Sequence, residues 1–92
     1  GLNMKAIVTV IGRDRVGIIA LVSQLLAGRG VNVLDISQTV LQDYFTMIML
    51  VDASACTEPF ASLAGELAAE GEEHGLQIRI QREDIFNAMH KI

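Results

Sequence analysis

The sequence predicts an α+β sandwich: a four-stranded antiparallel sheet carrying two helices on one face, with a further helix at the C-terminus. Three observations carry that expectation. Apolar residues alternate with a period of two in four short stretches, recur at helical spacing in the two stretches between them, and are punctuated at the joins by glycines. The resulting order is strand, helix, strand, strand, helix, strand, a split βαβ arrangement. The chain of 92 residues makes one domain whose core leaves little margin over chain entropy.

Residues 4–11 (MKAIVTVI) are rich in β-branched types, with Met4, Ala6, Val8 and Val10 on one face and Lys5, Ile7, Thr9 and Ile11 on the other. Both faces are largely apolar, which predicts a central strand with helices on one side and something else covering the other. After a turn, Ile18, Leu21, Val22 and Leu25 recur at i, i+3, i+4 and i+7, joined by Ile19 and Leu26, while Ser23 and Gln24 mark the wet side of an amphipathic helix. Gly28 and Gly30 around Arg29 stop it, because glycine accepts the left-handed cap and the arginine complements the carboxyl end of the dipole.

Residues 31–41 set Val31 and Val33 against Leu34, Ile36 and Val40, with Asp35, Ser37, Gln38 and Thr39 between, and read as a polar, edge-lying strand. Gln42-Asp43-Tyr44 turns the chain into residues 45–51, the buried second arm of a hairpin. Thr57 is the expected N-cap of the second helix, with Glu58 and Pro59 in its first turn and Phe60, Leu63, Ala64 and Leu67 on its apolar face. Glu66, Glu70 and Glu73 form its solvated side, and Gly75 closes it. Leu76, Ile78 and Ile80 then alternate with Gln77, Arg79 and Gln81 in a half-exposed last strand. In the tail, residues 82–92, Ile85, Phe86, Met89 and Ile92 share one helical face, too apolar to stand free in water.

The stretch with the clearest working character is Gly12-Arg13-Asp14-Arg15-Val16-Gly17, between the first strand and the first helix. Its two glycines allow a tight turn and close approach of a ligand, Asp14 is placed to cap the helix, and the first free N–H groups of that helix point back into the turn. Dipole and amides together favour a carboxylate or phosphate by about 0.3 to 1 kcal/mol, reaching about 2 when sheltered. Useful affinity needs about 4 to 8 kcal/mol, so a second wall is required.

Composition narrows the function classes. A net charge of −4 and an aromatic content of 4% argue against direct nucleic-acid binding. No stretch approaches the ~20 apolar residues that span a bilayer, so no membrane partner is expected, and the absence of a signal-like start predicts a cytoplasmic protein. The apolar fraction of 51% predicts surface buried between copies of the chain. Cys56 stands alone, and neither His74 nor His90 belongs to a metal-binding pattern, so no metal and no cofactor is expected. Gly1, Leu2 and Asn3 read as a cloning remnant ahead of a single domain over residues 4–92.

The sequence GRDRVGI opening a helix after a strand, followed by GRGVNVLDIS with its asparagine just past the glycine stop, resembles the ACT domain, over a body of about residues 4–81 with the tail at 82–92. The fold this implies is the ferredoxin-like βαββαβ sandwich. The D-R-x-G-I opening is similar to ACT modules of the glycine cleavage system transcriptional repressor and of formyltetrahydrofolate deformylase, and Ile85-Phe86-Asn87-Ala88-Met89-His90 is similar to the ending of a short, stand-alone group of ACT proteins. The resemblance implies a non-catalytic regulatory module that binds an amino acid or related metabolite anion between the copies of a homodimer. It implies one ligand wall from Gly12, Arg13, Asp14, Arg15, Val16, Gly17 and Ile18, and a second, across the interface, from Asn32 and Val33.

Helix amides would take the ligand carboxylate, and Asp14 or Asn32 would accept from its ammonium group. Valine at position 16 replaces the proline common in such modules, which makes the turn less rigid, and the loop lacks the histidine and asparagine of serine-sensing members. Two other readings stand beside this one. One is a pure oligomerisation module. The other is an acylphosphatase-like enzyme, weakened because Val16-Gly17-Ile18-Ile19 lacks the phenylalanine and arginine of that loop.

Overall fold

The computed structural model describes residues 4–13 and 16–83, so residues 1–3, the loop positions Asp14 and Arg15, and most of the tail lie outside it. The elements run β1 (Lys5–Gly12), α1 (Ile18–Ala27), β2 (Asn32–Leu41), β3 (Tyr44–Asp52), α2 (Phe60–Glu73) and β4 (Gln77–Arg82). The strands form one antiparallel sheet in the order β2-β3-β1-β4. This is the expected ferredoxin-like sandwich, with β1 central and β2 at an edge.

The period of two along β1 and β3 decides which face is buried. Ala6, Val8 and Val10 pair with Val51, Met49 and Met47, and all six are fully buried against Val22 and Leu26 of α1 and Leu63 and Leu67 of α2. Each valine, leucine and methionine among them contributes about 1.5–3 kcal/mol by leaving water, and Ala6 less. The opposite face carries Ile7 paired with Leu50 and Thr9 with Ile48, and Ile48 remains 43% exposed. The half-exposed Ile7, Thr9, Ile11 and Leu50 share that face.

Local signals misplaced both helix starts. α1 takes Gly17 as its N-cap, at φ 76°, with no side-chain cap bond, and the first helical hydrogen bond runs from Leu21 N–H to Gly17 O at 2.9 Å. The N-cap position is therefore Gly17, three residues beyond Asp14, and the capping role expected of Asp14 lies outside the described residues. α2 begins at Phe60 after Pro59, with Leu63 N–H donating to Pro59 O at 3.0 Å, so Thr57 does not cap it and Glu58 precedes the helix. The physical reason is that a residue before proline is held extended, which keeps Glu58 out of the first turn.

Gly12 ends β1, paired with Phe45, instead of opening the turn. Tyr44 begins β3, leaving a two-residue hairpin loop in which Gln42 adopts φ 55°. Ile19 of α1 is 37% exposed, so the buried stripe is Ile18, Val22 and Leu26. At the far end of α1 the left-handed residue is Gly30, at φ 76°, while Gly28 remains right-handed. Arg29 does meet the helix carbonyls, donating from Nη1 to Leu25 O at 3.1 Å. Its Nε also donates to Glu66 at 2.8 Å, so Glu66 is an ion-pair partner and not simply part of a solvated face.

Candidate functional site

β1 delivers Arg13 to the mouth of α1, and the β2–β3 hairpin tip stands opposite. The Arg13 guanidinium lies 5.5 Å from the centroid of the Tyr44 ring, and Nη2 donates to the Tyr44 hydroxyl at 3.4 Å. This contact spans a cleft of about 520 Å³ whose walls include Val16, Val40, Gln42 and Asp43. Such a volume suits a small metabolite. Val16 is 85% exposed, Val40 55% and Tyr44 45%, so among the described residues the mouth is apolar and open, with the Arg13 cation at its rim. The opening amides of α1 add positive potential, because the first turn of a helix has no intrahelical acceptors for them.

The residues expected at the first wall divide into two groups. Arg13 and Val16 line the cleft, and Gly17 stands at the helix mouth. Gly12 and Ile18 face the core: a Cβ on Gly12 would sit 2.5 Å from Leu76 Cδ2 and 3.3 Å from Ile18 Cδ1, so packing requires that glycine. Asp14 and Arg15 lie outside the described residues. The second wall is elsewhere in the same chain. Asn32 pairs with Asp52 while Gly12 pairs with Phe45 on the same β3, which separates them by about 23 Å along the sheet. Asn32 is exposed, and Val33 is half-buried against the core.

Val40, Gln42, Asp43 and Tyr44 were not expected at the site. No local pattern marks them, since they reach Arg13 only through the pairing of β3 with β1. The exposed Val40-Leu41 pair at the end of a polar edge strand is the one sequence sign that something should cover this tip. Beside Asn32, at the other end of the sheet, the Asp52 carboxylate accepts from Ser54 Oγ at 2.5 Å and from Ser54 N–H at 2.9 Å, and these bonds hold it below the ordinary aspartate range. Ser54 Oγ in turn accepts from Met4 N–H at 3.0 Å. Among the described residues no His, Cys, Asp and Glu cluster is arranged to hold a metal, and no helix is long and apolar enough to cross a membrane.

The strand order, the glycine-opened first helix and the open edge strand define a class, and comparison with known proteins gives the same one. The ACT domain family model matches residues 5–81, and the chain belongs to that family. More narrowly, it is 52% identical over 89 residues to a UPF0237 protein of Listeria monocytogenes, covering 97% of this chain and 100% of that one. A UPF0237 protein of Methanocaldococcus jannaschii is 51% identical over 88 residues, covering 96% and 98%. Among solved structures, an ACT domain protein from Streptococcus pneumoniae superposes with a TM-score of 0.82 at 46% identity, covering 92% of this chain and 96% of that one. A protein assigned as a glycine cleavage system transcriptional repressor superposes at 0.73 with 26% identity, covering 89% of this chain and 47% of that one.

Proposed function

We propose that this ACT domain is a non-catalytic sensor of an amino acid or a related metabolite anion, held between two copies of the chain. The observation that carries the reading is the layout of β2. Among the described residues nothing pairs with its outer edge, the cleft opens at its Val40 end, and Asn32 stands at its other end. An open strand edge is a template for pairing with another chain, and most homodimers are two-fold. Antiparallel pairing of two β2 edges centred on Ile36 brings the partner copy's start of β2 opposite Val40, beside Arg13 and the α1 mouth. The second wall, remote within one chain, then closes the cleft of the other.

In that arrangement the α1 amides and Arg13 take the ligand carboxylate, Asn32 and Val33 of the second copy bound it from across the interface, and Val16, Val40 and Tyr44 receive its apolar part. A ligand that bridges two chains stabilises them by mass action, about 2.7 kcal/mol at a hundredfold excess over Kd. The test is a thermal-shift screen with amino acids and small metabolite anions, run alongside light scattering at micromolar concentration. A dimer whose melting temperature rises with one of these compounds is the expected result. A dimer that responds to none favours the pure oligomerisation module, and a monomer contradicts the reading.

A further inference from the structure

Where the chain turns from α1 into β2, three charged side chains meet. Arg29 donates from Nε to Glu66 Oε1 of α2 at 2.8 Å and from Nη1 to Leu25 O of α1 at 3.1 Å. Glu58, in the connection from β3 to α2, sets its carboxyl against that of Glu66. Its Oε1 is buried and has no hydrogen-bond partner among the described residues. Cys56 does not supply one, because its Sγ points at the backbone oxygen of Glu58, at 3.9 Å. Arg29, Cys56 and Glu58 border a cleft of about 300 Å³ that also touches Gly30 and Thr57. Two carboxyl groups therefore compete for one guanidinium whose Nε is already given to Glu66.

A buried carboxylate oxygen without a donor is costly, and so are two carboxylates in contact. A single proton removes both penalties, since a protonated carboxyl becomes a donor to its neighbour. We propose that Glu58 is held as the neutral acid, donating to the Glu66 carboxylate that Arg29 holds, and that releasing this proton at higher pH loosens the joint between α2 and the α1–β2 corner. Only Gly30 and Val31 separate Arg29 from Asn32, so the joint sets the start of the strand that bears the second wall.

The direction of titration agrees with this geometry. Burial, followed by the contact with Glu66, raises the Glu58 carboxyl above the ordinary glutamate range, and the charge of Arg29 opposes the rise. Among the described residues of the elements packed around Glu58, the ionisable groups near it are Arg29 after α1, Glu66 of α2 and Cys56 of its own connection. A group raised on folding stabilises the fold fully below its unfolded value, about 4.3 for glutamate, and that contribution is lost as pH climbs through the raised value.

Glu58→Gln keeps the shape and supplies a permanent N–H donor, so it mimics the protonated acid. Melting temperatures of the full chain, followed from about pH 4 to pH 7.5, should show the wild type falling steadily relative to Glu58→Gln, while Glu73→Gln, at an exposed position of α2, runs parallel to the wild type. Carboxyl-carbon NMR of the wild type should give Glu58 a midpoint above the ordinary range, with the Asn32 amide moving at the same midpoint. A pH-independent offset between wild type and Glu58→Gln, an ordinary Glu58 midpoint, or an Asn32 amide that ignores the titration would each overturn the proposal. The NMR titration decides even where the variant fails to fold, and no arm of the test uses the sensed compound, so its failure leaves the ligand reading standing.

Discussion

Gly17 and Gly30 bracket α1 with the same backbone angle, φ 76°, and opposite surroundings. Among the described residues a Cβ at Gly17 would find nothing within 4 Å, whereas at Gly30 it would stand 2.9 Å from the carbonyl oxygen of Ala55. Among the described residues the entry to the helix is open, and its exit is packed against backbone and braced by Arg29. The dipole follows the same division. The negative end is satisfied internally by the Arg29 guanidinium, while the positive end opens on a cleft with an apolar rim. A chain that completes one end of its helix and leaves the other open has room for an anion where the field favours one.

Substitutions at the two glycines are the sharpest way to break that contrast. Gly30→Ala forces a side chain into left-handed backbone and against a carbonyl that cannot yield cheaply, and should cost at least about 2 kcal/mol in denaturant unfolding. Gly17→Ala meets only the backbone cost, about 1 kcal/mol. Equal losses would mean that the exit is no tighter than the mouth. Arg29→Ala comes next, at about 1 kcal/mol by the same measurement, because the ion pair it breaks is partly screened by water, with Glu66 43% exposed.

The elements themselves were legible in the sequence because they rest on local periodicity: the alternation in residues 4–11, the stripe of Ile18, Val22 and Leu26, and the glycine stop with Arg29 turned back onto its own helix. The helix starts were not. Asp14 and Thr57 have the right chemistry for caps, but Gly17 and Pro59 fix the backbone where each helix begins. The ion pair of Arg29 with Glu66 spans 37 positions, and the meeting of Arg13 with Tyr44 spans 31. No local pattern encodes either contact, which is why Glu66 read as solvated and the hairpin tip was missed as a wall of the cleft.

Two weaker effects sharpen the comparison further. Ser54 lowers the Asp52 carboxyl at the braced end of the sheet, first through its hydroxyl and then through its N–H. The stability this gives is present above the unfolded aspartate value of about 3.9 and is lost as pH falls through the lowered one. Asp52→Asn should therefore flatten the acid limb of the melting profile and leave the neutral limb unchanged in shape. Smallest of all, Tyr44→Phe removes a 3.4 Å contact at an exposed ring and should change unfolding stability by less than about 0.5 kcal/mol. Calorimetric titration with a compound found in the screen should nevertheless weaken, because Tyr44 stands in the cleft.

The most direct measurement mixes two defective chains. Arg13→Ala removes the cation from one wall and Asn32→Ala the polar group from the other, and each variant alone should bind the screened compound poorly in calorimetry. After exchange of subunits in an equal mixture, roughly a quarter of the sites regain both walls, because half the dimers are mixed and each holds one intact site. Recovery of tight binding at about that stoichiometry is the predicted result. A mixture that binds no better than its two components would contradict a site built from two copies.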